Sequence, residues 1–182
     1  MTLSAIAEPA LMLGIFTVAI AAGSTDLSHI VKVMQGAGWK LLNPTHLLAL
    51  VALFIVLLAE TGRVPVDNPA THLELTMIHE AMLLEYSGRY LALMEWGASI
   101  KQLVLMAVLV NIFVPVGLAT DRSAAALGVG LVVFLAKTLA LSAVVVLVET
   151  VNAKLRLFRV PDLLSAAFVL AALALMSTFL FQ

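Results

Sequence analysis

Long, nearly uninterrupted apolar runs constrain the fold of this chain more than any other feature of its sequence. Five such runs cover residues 3–22, 45–59, 89–116, 124–149 and 163–181. An α-helix needs roughly 20 apolar residues to cross the hydrocarbon core of a bilayer. The runs are continuous rather than alternating, which excludes a transmembrane β-barrel. We therefore predict an all-α polytopic membrane protein of about five transmembrane helices, with amphipathic helices at the interface.

The composition excludes a soluble domain and several classes of partner. The chain is 63% hydrophobic and 12% charged, whereas soluble domains are about half apolar and about a quarter charged. A net charge of −1 provides no basic surface for nucleic acid. Since there is no cysteine, the chain has no thiolate ligands for zinc or an iron–sulfur cluster. We expect a single membrane domain over residues 1–182, with any redox groups held by other subunits.

The basic residues predict the orientation of the chain in the membrane. If the helix predicted for residues 71–86 does not cross the membrane, the basic residues near the ends of the runs fall into two groups, with Arg63, Arg89, Lys154, Arg156 and Arg159 on one side and Lys32, Lys40 and Arg122 on the other. The positive-inside rule places the larger group in the cytoplasm and the C-terminus outside, which in a bacterium is the periplasm. Residues 27–35 carry an apolar helical face, and we expect this piece to lie on the membrane surface.

A glutamate-rich segment, residues 60–88, interrupts the apolar runs. Gly62, Pro65 and Pro69 predict an ordered cytoplasmic loop rather than a helix in its first part. The sequence from Thr71 to Glu74 matches a capping box and predicts that a new helix begins there.

Four glutamates in and beyond this segment are candidates for a proton or ion path: Glu74, Glu80, Glu85 and Glu95. Carboxylates within a lipid-facing bundle are energetically expensive and usually have a role in moving ions. Burial raises the pKa of a carboxyl group, so that it can load and release protons near neutral pH. The structural alternative is that Glu74 only caps its helix and Glu80 faces water.

Lys137 is the fifth candidate for the path. It lies about 18 Å from either end of its apolar run, and hence near the middle of the bilayer. From there its ammonium group must face protein or an aqueous cavity, and we expect Glu95 or Glu85 as its partner. The alternative is a static ion pair between two helices.

A second set of charged residues predicts a cavity lining or a docking interface at the cytoplasmic end: Glu60, Arg63, Asp67, Arg156 and Arg159. The alternative for the basic loop, residues 152–159, is topological anchoring and contact with lipid headgroups. The four histidines have no metal-ligand spacing, and no catalytic motif is present. We therefore expect neither a metal site nor a catalytic residue in this chain.

Several motifs resemble the membrane subunit at the heel of respiratory complex I. Residues 59–67, Ala-Glu-Thr-Gly-Arg-Val-Pro-Val-Asp, resemble its AETxRxPxD signature. Residues 85–88 resemble its EYSG, Glu95 followed by an aromatic residue resembles its later glutamate, and Lys137-Thr138 resembles its KT pair. Residues 67–69, 72–88 and 153–162 are more similar to the hydrogenase branch of the family, that of formate hydrogenlyase subunit 4 and hydrogenase-4 component C.

The chain departs from that family in three respects. The family has about eight spans, and this sequence corresponds to it from about the fourth, so we expect a fragment, a split-gene product or a shortened homologue. Glu74 and Glu85 are about one helical turn further apart than the matching glutamates of complex I, so either Glu74 or Glu80 matches the first glutamate of that pair. The basic pair Arg156 and Arg159 is more widely spaced than the two arginines of complex I.

The resemblance implies a non-catalytic subunit that anchors a membrane-bound nickel–iron hydrogenase complex, either a formate hydrogenlyase or an energy-converting hydrogenase, and couples it to proton or sodium movement. The implied partners are the hydrogenase large and small subunits and iron–sulfur subunits on the cytoplasmic side, antiporter-like membrane subunits, and lipid. The nickel–iron site and the iron–sulfur clusters belong to those partners, and this chain binds no cofactor. The implied location is the cytoplasmic (inner) membrane.

Two other functions remain open. The first is the quinone-site subunit of an NADH:quinone oxidoreductase. A chain with that function needs an open cavity beside Glu85 and Arg63 and has quinone as its ligand. The second is a purely structural membrane anchor. In an anchor, substitution of Glu85 or Glu95 by Gln leaves both activity and coupling intact.

Overall fold

The computed structural model describes residues 2–37, 43–67, 83, 85–118, 123–153, 155 and 159–180. These residues contain helices and no strand. The helices are α1 (Thr2–Ala22), α2 (Leu27–Ala37), α3 (Pro44–Glu60), α4 (Arg89–Phe113), α5 (Ala124–Val151) and α6 (Val160–Leu180). The predicted all-α membrane fold is confirmed.

Local chemistry accounts for where the helices begin and end. Gly23 ends α1 in the left-handed region, with φ +67°. Asp26 precedes α2, and its Oδ1 accepts a hydrogen bond from the Ser28 backbone N–H at 3.0 Å, as an N-cap does. Ser123 caps α5 in the same way, accepting from the Ala126 N–H at 3.2 Å. Gly88 precedes α4 with φ +57°, in the left-handed region that favours glycine.

Helices α1, α3 and α6 pack together as a three-helix unit. Their contact surfaces are built from small residues that are fully buried, namely Ala10, Ala49, Ala52, Ala167, Ala171 and Ala174. Small side chains let membrane helices approach closely. At Gly14 the approach is so close that an added Cβ would lie 2.7 Å from the Leu53 Cγ.

Helices α4 and α5 are antiparallel and overlap over only part of their lengths. Lys137 contacts the backbone of Val114, and Ser142 lies against Met106. The first half of α4 is almost entirely exposed in this chain, and in α5 only Val145 is buried. At about 1.5 Å per residue, α4 continues about 18 Å beyond Lys101 towards Arg89.

The helices differ from the five predicted spans in the number of candidate spans and in where α4 ends. By length and composition, α4, α5 and α6 can each cross a membrane, and α1 and α2 together form a fourth candidate bent by 61°. Helix α3 is apolar but has only 17 residues. The run predicted to continue to residue 116 ends as a helix at Phe113, since Pro115 disfavours a helical conformation at the residue before it.

Candidate functional site

Charged and polar side chains from α3, α4 and α5 meet where α3 ends. The Nζ atom of Lys101 donates a hydrogen bond to Glu60 Oε2. Arg63 Nη2 donates to Gln102 Oε1 at 3.0 Å, and Arg63 Nη1 lies 3.5 Å from Glu149 Oε1. These five residues are called the charged cluster below, and they join three otherwise apolar helices.

The loop that follows α3 is ordered and holds Arg63 in place. Gly62 takes φ +61°, which lets the chain turn, and the Arg63 backbone N–H donates to the Leu58 carbonyl at 2.9 Å. The Val64–Pro65 peptide is cis. Leu155 N–H donates to the Pro65 carbonyl at 2.9 Å, which ties the loop to the segment before α6. The predicted ordered loop is therefore present over residues 61–67.

Asp67 lies at the end of this ordered loop. Its side chain is only 2% exposed, and its backbone N–H donates to the Arg63 carbonyl at 3.2 Å. The neighbouring Val66 packs with Ala7, Val160 and Leu164 in a small core between α1 and α6. Asp67 is thus buried close in the chain to Arg63, at the same end of the bundle as the charged cluster.

Glu149 occupies an unusual position within the cluster. Its Oε1 atom is buried and accepts no hydrogen bond from the residues that the structure describes. The Arg63 guanidinium at 3.5 Å provides an attractive charge without hydrogen-bond geometry. The Arg63 and Glu149 side chains are 35% and 21% exposed. A buried carboxylate oxygen without a donor carries a desolvation cost that the nearby charge only partly offsets.

Lys137 does not pair with a carboxylate in the part of the chain that the structure describes. Its Nζ atom donates to the Val114 carbonyl at 2.9 Å, at the C-terminal end of α4. At about 1.5 Å per residue, Glu95 lies about 28 Å from Val114 along α4. The expected pairing with Glu95 or Glu85 is therefore wrong, because the register of α4 against α5 separates those residues from Lys137.

The remaining predicted residues are dispersed or fall outside the described parts. Glu85 lies exposed in the turn before α4, and Glu95 is exposed within α4. Arg159 is exposed at the start of α6. Glu74, Glu80 and Arg156 lie outside the described residues, so their predicted roles stay predictions.

Three members of the charged cluster were missed by the sequence reasoning: Lys101, Gln102 and Glu149. A signal for them existed, because Lys101 and Gln102 are polar side chains inside the apolar run 89–116 and Glu149 is the last residue of the run 124–149. Their partners are far away in sequence, with Lys101 and Glu60 separated by 41 positions. Among the described residues, no group of three or more histidines and carboxylates could hold a metal ion.

Comparison with known proteins places the chain in a family. Residues 1–180 match the family model described as NADH dehydrogenase. Hydrogenase-4 component C of Escherichia coli (strain K12) is 36% identical over 175 residues, 96% of this chain and 54% of that relative. Formate hydrogenlyase subunit 4 of the same organism is 36% identical over 176 residues, 96% of this chain and 56% of that relative.

The chain thus spans about half the length of the curated relatives it matches. The predicted resemblance to the complex I heel-subunit family and its hydrogenase branch is confirmed by these matches. This all-helical membrane chain belongs to the NADH dehydrogenase family.

Proposed function

We propose that this chain is the membrane-anchoring and ion-coupling subunit of a membrane-bound nickel–iron hydrogenase complex. The similarity to a component of hydrogenase-4 and to a subunit of formate hydrogenlyase over 96% of the chain supports membership of such a complex. The observation that carries the coupling role is Arg63, held between Gln102 of α4 and Glu149 of α5. Charged groups that join apolar membrane helices are expensive and are usually retained for ion movement.

The anchoring surface of this proposal is the end of the bundle that carries the charged cluster. Glu60, Arg63 and Asp67 lie there, and α6 begins there with Arg159 exposed. The complex lies in the inner membrane in this proposal. By the positive-inside rule this end of the bundle faces the cytoplasm, and the C-terminus lies outside. Hydrogenase large and small subunits and iron–sulfur subunits dock on this end, and antiporter-like subunits lie beside it in the membrane.

The coupling role assigns the redox chemistry to the partners and the ion movement to this chain. With no cysteine, the chain offers no thiolate for an iron–sulfur cluster. Electron transfer in the docked subunits would change the charge next to the cluster, and the carboxylates and Lys137 would respond by moving protons or sodium ions. Glu85 and Glu95 belong to this path in the proposal, together with Glu74 and Glu80.

Affinity purification of the tagged chain in mild detergent tests this proposal. Mass spectrometry would identify the co-purifying subunits, and a hydrogen-evolution assay would test the eluate for activity. We expect hydrogenase subunits and hydrogen evolution from a reduced electron donor. Recovery of the chain without any hydrogenase subunit, from membranes that evolve hydrogen, would contradict the proposal.

The same purification separates the two alternatives. Flavoprotein partners that oxidise NADH would favour the quinone-site subunit. A groove of about 710 Å³ lies between α2 and α4, but neither Arg63 nor Glu85 lines it. Hydrogenase partners with coupling unchanged in Glu95→Gln and Glu85→Gln variants would favour the structural anchor.

A further inference from the structure

Helix α2 lies at the end of the bundle opposite to the charged cluster. Ala7, near the start of α1, packs with Val66 and Val160 at the cluster end. From Ala7, α1 runs about 22 Å to Ala22 before α2 begins. The axis of α2 is bent by 61° from that of α1. A short amphipathic helix in this position lies at the boundary between the lipid headgroups and the acyl chains.

A groove of about 710 Å³ lies between α2 and α4, and it is called the α2–α4 groove below. It is lined by one stripe of each helix, at spacings of three and four residues: Leu27, Val31 and Gln35 on α2, and Val104, Val108 and Asn111 on α4. A neighbouring stripe of α2, with Ile30 and Met34, is buried in the core. Helix α2 therefore packs on the bundle with one face and leaves another to the groove, whose volume is within the range of about 300–1,000 Å³ typical of ligand sites.

Polar groups without a partner face this groove. Lys32 is exposed and forms no salt bridge, and Gln35 and Asn111 make no side-chain hydrogen bond, within the part of the chain that the structure describes. The carboxylate at the start of α2, that of Asp26, accepts hydrogen bonds from the backbone N–H and the hydroxyl of Ser28. Among the described residues that line the groove, Lys32 carries the only charge.

The distribution of these groups suits a ligand with an anionic head and a hydrocarbon chain. A lysine on an interfacial helix lays its apolar stem along the surface and places its ammonium group among the headgroups. The phosphate of an anionic lipid is the counterion available at that depth. On the other side of the groove, the stripe from Val104 to Asn111 extends about 11 Å along α4, and it offers an apolar wall to an acyl chain.

We propose that the α2–α4 groove binds an anionic phospholipid, with its phosphate against the ammonium group of Lys32 and one acyl chain along α4. The amide groups of Gln35 and Asn111 can donate hydrogen bonds to the phosphate and ester oxygens. This inference goes beyond the hydrogenase role and does not depend on it, since a bilayer surrounds the chain in any membrane complex.

The charge of the groove favours a phospholipid over two other occupants. A quinone has a neutral head, so its binding would leave Lys32 without a counterion. A helix of another subunit would have to bring its own carboxylate to the same place, because removing an ammonium group from water without a partner is costly. An anionic phospholipid supplies both the charge and the chain.

The first test measures lipid binding by native mass spectrometry. The full chain is purified in mild detergent, freed of lipid, and titrated with phosphatidylglycerol or with phosphatidylcholine of the same acyl chains. We expect the wild type to bind its first phosphatidylglycerol about fivefold more tightly, the factor that corresponds to about 1 kcal/mol for one lysine beside an anionic lipid. Lys32→Gln should remove this preference.

Arg89→Gln is the matched control for the charge. Arg89 is exposed and contacts only Tyr90 among the described residues, and it lies on α4 outside the groove lining. We expect this variant to keep the preference of the wild type. Equal affinity of the wild type for the two lipids, or a preference that persists in Lys32→Gln, would overturn the inference.

A second pair of variants tests whether the acyl chain lies in the groove. Ala107→Phe places a ring in the groove lining, and Gly128→Phe places the same ring on α5 where an added Cβ meets nothing within 4 Å. We expect at least a fivefold loss of phosphatidylglycerol affinity in Ala107→Phe alone, with the helical circular dichroism of both variants unchanged. Unchanged affinity in Ala107→Phe would place the lipid elsewhere.

Photo-crosslinking identifies the occupant in membranes that contain the partners of the chain. A benzophenone amino acid replaces Val108 in the groove or, as a control, Leu131, which is 61% exposed on α5. We expect lipid adducts at both positions, with phosphatidylglycerol enriched at position 108 and this enrichment lost in Lys32→Gln. An adduct with a quinone or with another polypeptide at position 108 would contradict the inference.

Discussion

The side chain of Lys137, at the middle of α5, donates a hydrogen bond to the backbone carbonyl of Val114 at 2.9 Å. Val114 follows directly after α4, whose last carbonyls have no partner within the helix. A cation at that position also complements the negative end of the helix dipole. The contact therefore stabilises a helix end that lies beside the centre of α5 rather than beside its end.

The first prediction concerns this helix end. Replacing Lys137 by Met keeps the length of the side chain and removes the donor. We expect the free energy of unfolding to fall by about 1 kcal/mol, because the Val114 carbonyl loses its side-chain partner. Thermal unfolding of the purified subunit in detergent measures this change. Lys137→Arg keeps a donor and should lose less stability than Lys137→Met. Equal stability of Lys137→Met and the wild type would contradict the contact between Lys137 and Val114.

The second prediction concerns the fork geometry of Arg63. Its two terminal nitrogens reach Gln102 and Glu149 separately, and a lysine has a single point charge that cannot hold both. We expect Arg63→Lys to lower stability by about 0.5–1 kcal/mol, a modest amount since the pair is partly exposed. Arg89→Lys is the control, because Arg89 is exposed and contacts only the neighbouring Tyr90 among the described residues. A loss as large in Arg89→Lys would show that the effect does not come from the cluster.

The third prediction concerns the close approach of α1 and α3. In Gly14→Ala the new Cβ would lie 2.7 Å from the Cγ of Leu53, a buried side chain that is 5% exposed. Overpacking of this kind costs about 1–3 kcal/mol. Gly128→Ala in α5 adds the same atom where nothing lies within 4 Å, and it should be neutral or stabilising because Ala favours helix. Unfolding in a denaturing detergent series measures both variants.

A second-site change checks the mechanism of that loss. Leu53→Ala removes the side chain that the new Cβ would meet. The double variant should therefore lose less stability than the sum of the two single losses. Additive losses would mean that Gly14 matters for another reason.

The fourth prediction concerns pH and the start of α2. Hydrogen bonds from the side chain and backbone of Ser28 lower the pKa of the Asp26 carboxyl group below its ordinary value. The contribution of Asp26 to the stability of α2 is therefore fully present above the unfolded-state pKa and is lost as the pH falls through the lower folded-state pKa. Hydrogen exchange of the first amides of α2 should accelerate in that acidic range. Asp26→Asn keeps the cap without the charge and should remove this pH dependence, and an unchanged profile in that variant would argue against Asp26 as its origin.

The sequence allowed the helices to be predicted because each helix has a local cause. The apolar runs and their breakers locate α3 to α6 to within a few residues. Gly88 lies just before α4 in a conformation that glycine adopts freely, and Pro115 restricts the backbone just after it. The loop after α3 was predictable for the same reason. Gly62 and Pro65 disfavour helix there, whatever the rest of the chain does.

The partners of the charged residues were not predictable in the same way. Which side chain meets Lys137 depends on the register of α4 against α5, and no local pattern sets that register. The periodicity of an almost wholly apolar helix also does not reveal which face is packed, so Glu149 resembled a simple helix end. Only the three-dimensional arrangement brings Arg63, Gln102 and Glu149 together.

The most direct test of the coupling role is the membrane potential that accompanies hydrogen evolution. Sealed vesicles containing the complex would be given a reduced electron donor, and a potential-sensitive dye would be recorded together with hydrogen, so that protons and sodium ions are both detected. If this chain couples hydrogen evolution to ion movement, a potential builds up during turnover and collapses with an ionophore, and hydrogen evolution is faster once the potential is released. Hydrogen evolution at full rate with no potential, and no response to the ionophore, would contradict the coupling role.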